Sequence, residues 1–422
     1  MRTYLRSLDP RLTRDIYVLE VGVLLNSFGN GVVLPFLIIY LHNVRGIALG
    51  TAGLVAATQS LAGLASGFVA GSLADRLGPK RVLMGALVVT TVAFALMPLI
   101  RNAWQAFALY TVWGLGSGAF WPSQSAMLAA LAPAAKRAPA YAIQRLVMNL
   151  GVAVGGLVAG FIASVAHPVT FTVLFAVDCA TFLAYIAVLA RVRSPELHPE
   201  RARGRWAGVV RDRTFVAVTV LNATFIAATI SLMVELLPAF AKNVAHVNER
   251  EVGAIFALEC VGIVVFQLPV AKAVEGRRRM RLFAAMGAVW AVSLLGVWAA
   301  GAWTTATLAF VLLAVVGAGF ALGECLHATV HGPLAADLAP PQLVGRYLAL
   351  ASISWQIGWI VGPAGGGFLL QHAPLVLWPV AAGLNLLAAA GALAVERRLP
   401  EGVRISPRAA PAEPVPLGSP AS

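Results

Sequence analysis

Apolar residues run along this chain in blocks of roughly 20–30, each closed by a short polar or Gly/Pro cluster, and no block alternates with the period of a half-buried strand. About 20 apolar residues carry a helix across the hydrocarbon of a bilayer. Blocks of that kind fall at 15–41, 49–74, 80–99, 103–131, 139–165, 169–192, 215–241, 250–272, 281–301, 303–335, 345–371 and 374–395, which predicts twelve transmembrane helices. The longest polar interval, 193–213, parts six from six. The expected layout is a six-helix bundle over 1–192, a cytoplasmic linker over 193–213, a second bundle over 214–398, and a Pro/Ala/Ser-rich disordered tail over 399–422. The fold class is an all-α polytopic membrane protein.

Composition agrees with the pattern. The chain is 59% hydrophobic and 12% charged, about half the charge of a soluble domain, which excludes a soluble enzyme, a coiled coil and a disordered regulator. A net charge of +13 would point to nucleic acid if it were spread evenly, but it is not. Of 31 Lys and Arg, 26 lie in the two terminal segments, the central linker and the 2–3, 4–5, 8–9 and 10–11 loops. The alternate loops hold only Arg45, Arg101, Lys242 and Arg250, and Arg145 lies inside helix 5. The positive-inside rule then sets both termini and the linker in the cytoplasm, as expected for a multi-pass protein of the cell membrane. No nucleic-acid partner is needed. Arg2, Arg6, Arg11 and Arg14 precede the first block, no small-residue cleavage site follows it, and it is expected to stay as a signal-anchor. Cys179, Cys260 and Cys325 each sit within an apolar block, so no disulfide framework is implied.

The two halves repeat. At an offset of 207, Leu131-Ala-Pro133 meets Leu338-Ala-Pro340, and Gly151, Gly155 and Gly160 meet Gly358, Gly362 and Gly367. Homologous halves in parallel arrangement are related by an axis along the membrane normal.

Between helices 2 and 3 stands Gly71-Ser-Leu-Ala-Asp75-Arg76-Leu-Gly78-Pro-Lys80-Arg81. Gly71 is expected to let helix 2 approach a neighbour, and Gly78 to let the chain turn. Asp75 offers an anion to a helix terminus or an arginine, and Arg76, Lys80 and Arg81 hold the loop in the cytoplasm. This loop resembles the signature of the major facilitator superfamily, and with twelve spans and the repeat the resemblance covers residues from about 10 to 398. It implies two six-helix bundles, alternating access, and a gate loop made of these residues. The second half keeps a worn copy around Gly276 with Ala273 where the Asp would stand, and Asp337 is placed to pair with Arg278 or Arg279. Helix 11 carries Gly358, Gly362, Pro363, Gly365, Gly366 and Gly367, similar to an element that drug:proton antiporters usually carry in helix 5. Here helix 5 has Gly151, Gly155, Gly156 and Gly160 without the proline. Both ladders are expected to pack the two bundles closely, with or without a functional bend. The arginine the family carries in helix 4 is absent, with Trp113 near its place. Arg145 either replaces it or snorkels to the surface.

A charge at the bilayer centre costs about 2.5–3.5 kcal/mol on the lenient insertion scale, so embedded acids are functional candidates. In the superfamily, helices 1, 4, 7 and 10 line the cavity, which ranks Glu324 and Glu235 first and Glu259 next. Asp178 is expected to be structural and Glu20 solvated. Glu324, His327 and His331 share a helical face and read as a proton relay, as packing groups, or as a metal site; no resident metal or cofactor is expected. Asn26, Asn30, Gln59, Gln124 and Asn149, with aromatic walls that include Trp113, suit an amphipathic substrate. The leading expectation is a monomeric secondary transporter that exports amphipathic or cationic small molecules in exchange for protons. A proton-coupled importer of a metabolite and a transport-inactive receptor are the alternatives. No nucleophile–base set or phosphate loop supports an enzyme.

Overall fold

The computed structural model describes residues 12–133, 136–192, 209, 211–340 and 343–406, apart from the side chains of Asp75, Ala138 and Val344. Twelve long helices cover them: α1 Arg14–Val44, α2 Leu49–Leu77, α3 Pro79–Leu99, α4 Ala103–Leu131, α5 Arg137–Ile162, α6 Val169–Arg191, α7 Arg213–Asn243, α8 Glu249–Ala273, α9 Arg279–Trp303, α10 Ala306–Asp337, α11 Val344–His372 and α12 Pro374–Glu396. Ends match the sequence expectation to within three residues. Ten of the twelve are long and apolar enough to span a bilayer. The others, α4 and α11, have 29 residues each but carry more Gly, Ser, Gln and Trp, the composition of helices that face other helices.

α1 and α7 are irregular in mid-span and α3 ends in a 3-10 turn at Met97–Leu99, each beside a proline. Pro35 sits in a 3-10 turn at Leu34–Phe36, with a π turn following at Tyr40–Val44. In α7, π turns at Ile226–Ile230 and Leu232–Leu236 precede Pro238. A proline removes one helical hydrogen bond and crowds the preceding turn, so the helix loosens there.

Helices α1–α6 pack among themselves, as do α7–α12, and the two sets meet chiefly through α2 against α11 and α5 against α8. Large apolar side chains face outward all around: Phe161, Leu268, Val292 and Leu387 are each about 70% exposed. That is a lipid-facing belt, because a water-exposed surface does not hold so many.

The glycine ladders split their work. A Cβ on Gly151 or Gly155 would strike the α1 backbone around Phe28, and one on Gly358 or Gly362 would strike α7 at Ile226, Ala227 and Ser231; Gly366 meets Leu232 and Leu236 there. These five tighten packing inside one half, a role beyond the close packing of the two bundles expected of the ladders. The seam is built by Gly156 and Gly160 against Gly253 of α8, and by Gly367 and the Pro363 carbonyl against Gly53 of α2. The repeat mates Gly160 and Gly367 thus do the same job on opposite sides of the pseudo-twofold.

Two further corrections follow. Among the described residues nothing lies within 4 Å of a Cβ built at Gly71, so α2 makes no close approach to any of them there. The tail is ordered to residue 406: Gly276 N donates to Ser406 O (3.0 Å), Ser406 N donates to Arg277 O (2.9 Å), and Glu401–Arg404 forms one short helical turn, α13. The backbone bonds give that segment a fixed seat on the α8–α9 loop. Residues 407–422, and the linker up to 208, lie outside the described residues.

Candidate functional site

Among the described residues, every side-chain hydrogen bond between the halves lies at one end of the molecule. Asn43 and Asn243 donate to each other's amide oxygens (2.6 and 3.2 Å), Gly50 N donates to Gln371 Oε1 (2.9 Å), and Val165 N donates to Glu249 Oε1 (3.2 Å). Lys242 holds that same Glu249 oxygen at 3.0 Å, and Arg250 lies over the Phe161 ring. This end carries the sparsely charged loops. The seam continues inward as far as Ala153 and Val152 against Ala257 and Cys260, and among the described residues no side-chain bond ties the halves beyond it.

At the foot of that seam stand three charged groups. Glu259 of α8, adjacent to Cys260, and Glu324 of α10 are within electrostatic range of each other, and Arg145 of α5 reaches Glu324 from the opposite half. Glu259 is buried, while Glu324 and Arg145 are half-buried, with the Arg145 Nε enclosed and unbonded. Among the described residues, Arg145 makes no ion pair within 4 Å with either carboxylate. Asn149 stands one turn away and donates to the Arg145 carbonyl (3.1 Å). Glu235 of α7 lies on the other side of the seam, within range of the enclosed Tyr110 hydroxyl of α4.

The histidines do something else. His327 Nε2–H donates to Asn222 Oδ1 (2.6 Å), and Asn222 Nδ2 donates to Ser354 Oγ (2.7 Å), joining α10, α7 and α11 inside one half. Its ring stacks on Trp290 and His331, with Trp355 edge-on. His331 is buried against Phe283 and does not face water. Among the described residues no three His, Cys, Asp or Glu converge as a metal site.

A model of the Major Facilitator Superfamily matches residues 19–330 and 236–420. The chain belongs to the major facilitator superfamily. It is therefore a multi-pass membrane transporter, a non-enzymatic class. It is 25% identical over 381 residues to an uncharacterized MFS-type transporter, YhjO, of Bacillus subtilis, covering 88% of this chain and 90% of that one. It is 25% identical over 374 residues to the multidrug resistance protein MdtH of Cronobacter sakazakii, covering 86% and 89%. A solved POT family transporter in complex with 5-aminolevulinic acid superposes with a TM-score of 0.76 at 12% identity, covering 91% of this chain and 96% of that chain.

The remaining expectations for this transporter sort by where the side chains lie. Gly78 turns the chain at φ +84°, closing α2 and opening α3 ahead of Pro79, and Gly276 does so in the second half at φ +70°. Lys80 has a role the sequence did not show: its Nζ donates to Val192 O (2.6 Å) and Ala190 O (3.3 Å), capping the open end of α6. Arg76 and Arg81 are exposed, and the Asp75 side chain lies outside the described residues. Arg279 meets Asp337 at 2.5 Å, one of the two pairings foreseen. Glu20 is 3% exposed beside Tyr185, which corrects the solvated reading: α6 covers the first turns of α1. Tyr185 donates to Gln124, so Gln124 bonds within its own half. Gln59 Nε2 donates to Ser117 Oγ (2.7 Å). Trp113 packs edge-on against Phe94 and Tyr110, and Phe225 and Phe320 pack on Trp290. These three rings fill bundle interiors. Asn26 is buried and Asn30 half-buried on α1. Asp178 accepts from Thr181 (3.3 Å) beside Gly29, the structural setting expected of it.

Proposed function

We propose that this transporter exports amphipathic or cationic small molecules across the cell membrane in exchange for protons, working as a monomer by alternating access. The observation that carries the reading is that Glu324, with Glu259 in its electrostatic range, lies within electrostatic range of Arg145 from the other half, near the foot of the interhalf seam. A cationic substrate and a proton compete for the same carboxylates, and that competition is the elementary requirement of exchange. Arg145 supplies the balancing charge while the site is empty of substrate. Charge distribution supports a cytoplasmic setting for the end opposite the bonded seam. The multidrug resistance name of MdtH favours drug-like compounds among cargo classes. Asn26, Asn30 and Asn149 then supply polar contacts along the path, and the loop Gly71–Arg81 with Asp75 works as the cytoplasmic gate.

The test is transport by the purified protein in liposomes under an imposed pH gradient, with ethidium as the probe because its fixed charge prevents trapping by protonation. Exchange moves ethidium toward the acidic side, above protein-free liposomes. Movement toward the alkaline side would show co-transport, and no movement above the protein-free level would remove the proton–cation reading.

A further inference from the structure

The end opposite the closed seam carries a second built feature, remote from the carboxylates. A cavity of about 420 Å³ is lined by Arg278, Arg281, Leu393, Glu396, Arg397 and Arg404, and it adjoins a second hollow lined by Arg277, Arg278 and Arg281. Five guanidinium groups therefore surround one concave region. Among the described residues only one carboxylate lines it: Glu396 accepts from Arg278 Nη1 (3.0 Å) and Arg281 Nε (3.4 Å). The formal charge left over is +4.

Arg277, Arg278, Arg281 and Arg397 are exposed, whereas Arg404 is half-buried and held in place. Arg404 Nε donates to Leu399 O (2.7 Å) and its Nη2 donates to Arg397 O (3.1 Å), which folds the segment after α12 back on itself. The bonds between Ser406 and the α8–α9 loop then clamp this segment beside Arg277 and Arg278. Two stretches far apart in sequence are held together so that like charges face a common hollow. Such an arrangement concentrates positive potential in the hollow, and planar guanidinium forks match the oxygens of a phosphate. Leu393 lines the same cavity from α12 and is about half exposed on the apolar belt. The hollow thus sits where headgroups meet acyl chains.

We propose that this pocket binds the phosphate group of an anion at the membrane surface, carried by an acidic lipid headgroup or free in solution. A basic patch that serves topology alone needs no concavity and no strap. A phosphate bridging Arg281 and Arg397 would tie the α8–α9 loop to α12.

The full-length protein in nanodiscs of mixed phosphatidylcholine and phosphatidylglycerol, ejected into a native mass spectrometer, tests this directly. The wild type should retain phosphatidylglycerol in preference to phosphatidylcholine. The double variant Arg281→Glu/Arg397→Glu should lower that retention at least about tenfold, while Arg281→Lys/Arg397→Lys, which keeps the charge but not the fork and controls for folding, should fall between the two. Arg398→Glu alters the neighbouring charge outside the cavity and should leave retention unchanged. Titration of inorganic phosphate into detergent-purified protein by calorimetry covers the free anion: binding lost in the Glu double variant, without lipid selectivity, would assign the pocket to soluble phosphate. Equal lipid retention by wild type and the Glu double variant together with no phosphate heat, or an equal loss from Arg398→Glu, would overturn the proposal.

Discussion

Glu324 and His327 stand three positions apart on α10, yet they address different surroundings. Glu324 looks across the seam to Arg145, whereas His327 turns into its own half and bonds Asn222. Helical spacing put them on one face, but a face some 60° wide spans both the edge of a cavity and the interior of a bundle. Nothing in the spacing tells which, because Asn222, Trp290 and Trp355 arrive from three other helices. His327→Ala should therefore act on stability: loss of a buried ring and its hydrogen bond costs about 2–4 kcal/mol. It should show as a lowered midpoint in thermal unfolding, with the pH profile of transport unchanged in shape. A shifted profile at wild-type stability would restore the relay. Arg145 was ambiguous for the same reason. Its position two turns from the surface fits snorkelling, and only the approach of α8 and α10 gives it carboxylate company.

Helix ends, the repeat and the turn at Gly78 were legible because each rests on local chemistry: apolar length, a shared ladder, a positive φ. Helix partners were not. Gly155 and Gly71 look alike in sequence, but Gly155 is pressed on the α1 backbone and Gly71 meets none of the described residues within 4 Å. Gly155→Ala should cost about 1–3 kcal/mol through overpacking, while Gly71→Ala should change stability by no more than about 0.5 kcal/mol. Thermal unfolding of the two purified variants compares them directly, and equal destabilisation would mean that α2 is packed at Gly71 in the resting state. The ordered strap at 399–406 was hidden because its partners are backbone groups of the α8–α9 loop, which leave no side-chain signature.

At the scale of the whole molecule, the separation of 26 basic residues from four predicts an orientation by long-range electrostatics, but the conformation seen here depends on interhalf contacts that no composition encodes. Asn43 and Asn243, one at the end of the first helix in each half, are the clearest of these. The double substitution Asn43→Cys/Asn243→Cys in a cysteine-free background should cross-link readily and arrest transport, with reduction restoring it; cross-linked protein that still cycles would rule out opening at that end. Impermeant reagents should label cysteines introduced at 205, 278 and 410 only from the cytoplasmic side, and labelling in intact cells would invert the orientation. The coupling itself is decided by comparing wild type with Glu324→Gln, reconstituted at matched density, for ethidium accumulation driven by a pH gradient. A fixed neutral side chain cannot exchange a proton, so accumulation should vanish while downhill ethidium exchange persists. Accumulation by Glu324→Gln at the wild-type level would contradict a coupling role for Glu324 and move it to Glu259 or Glu235.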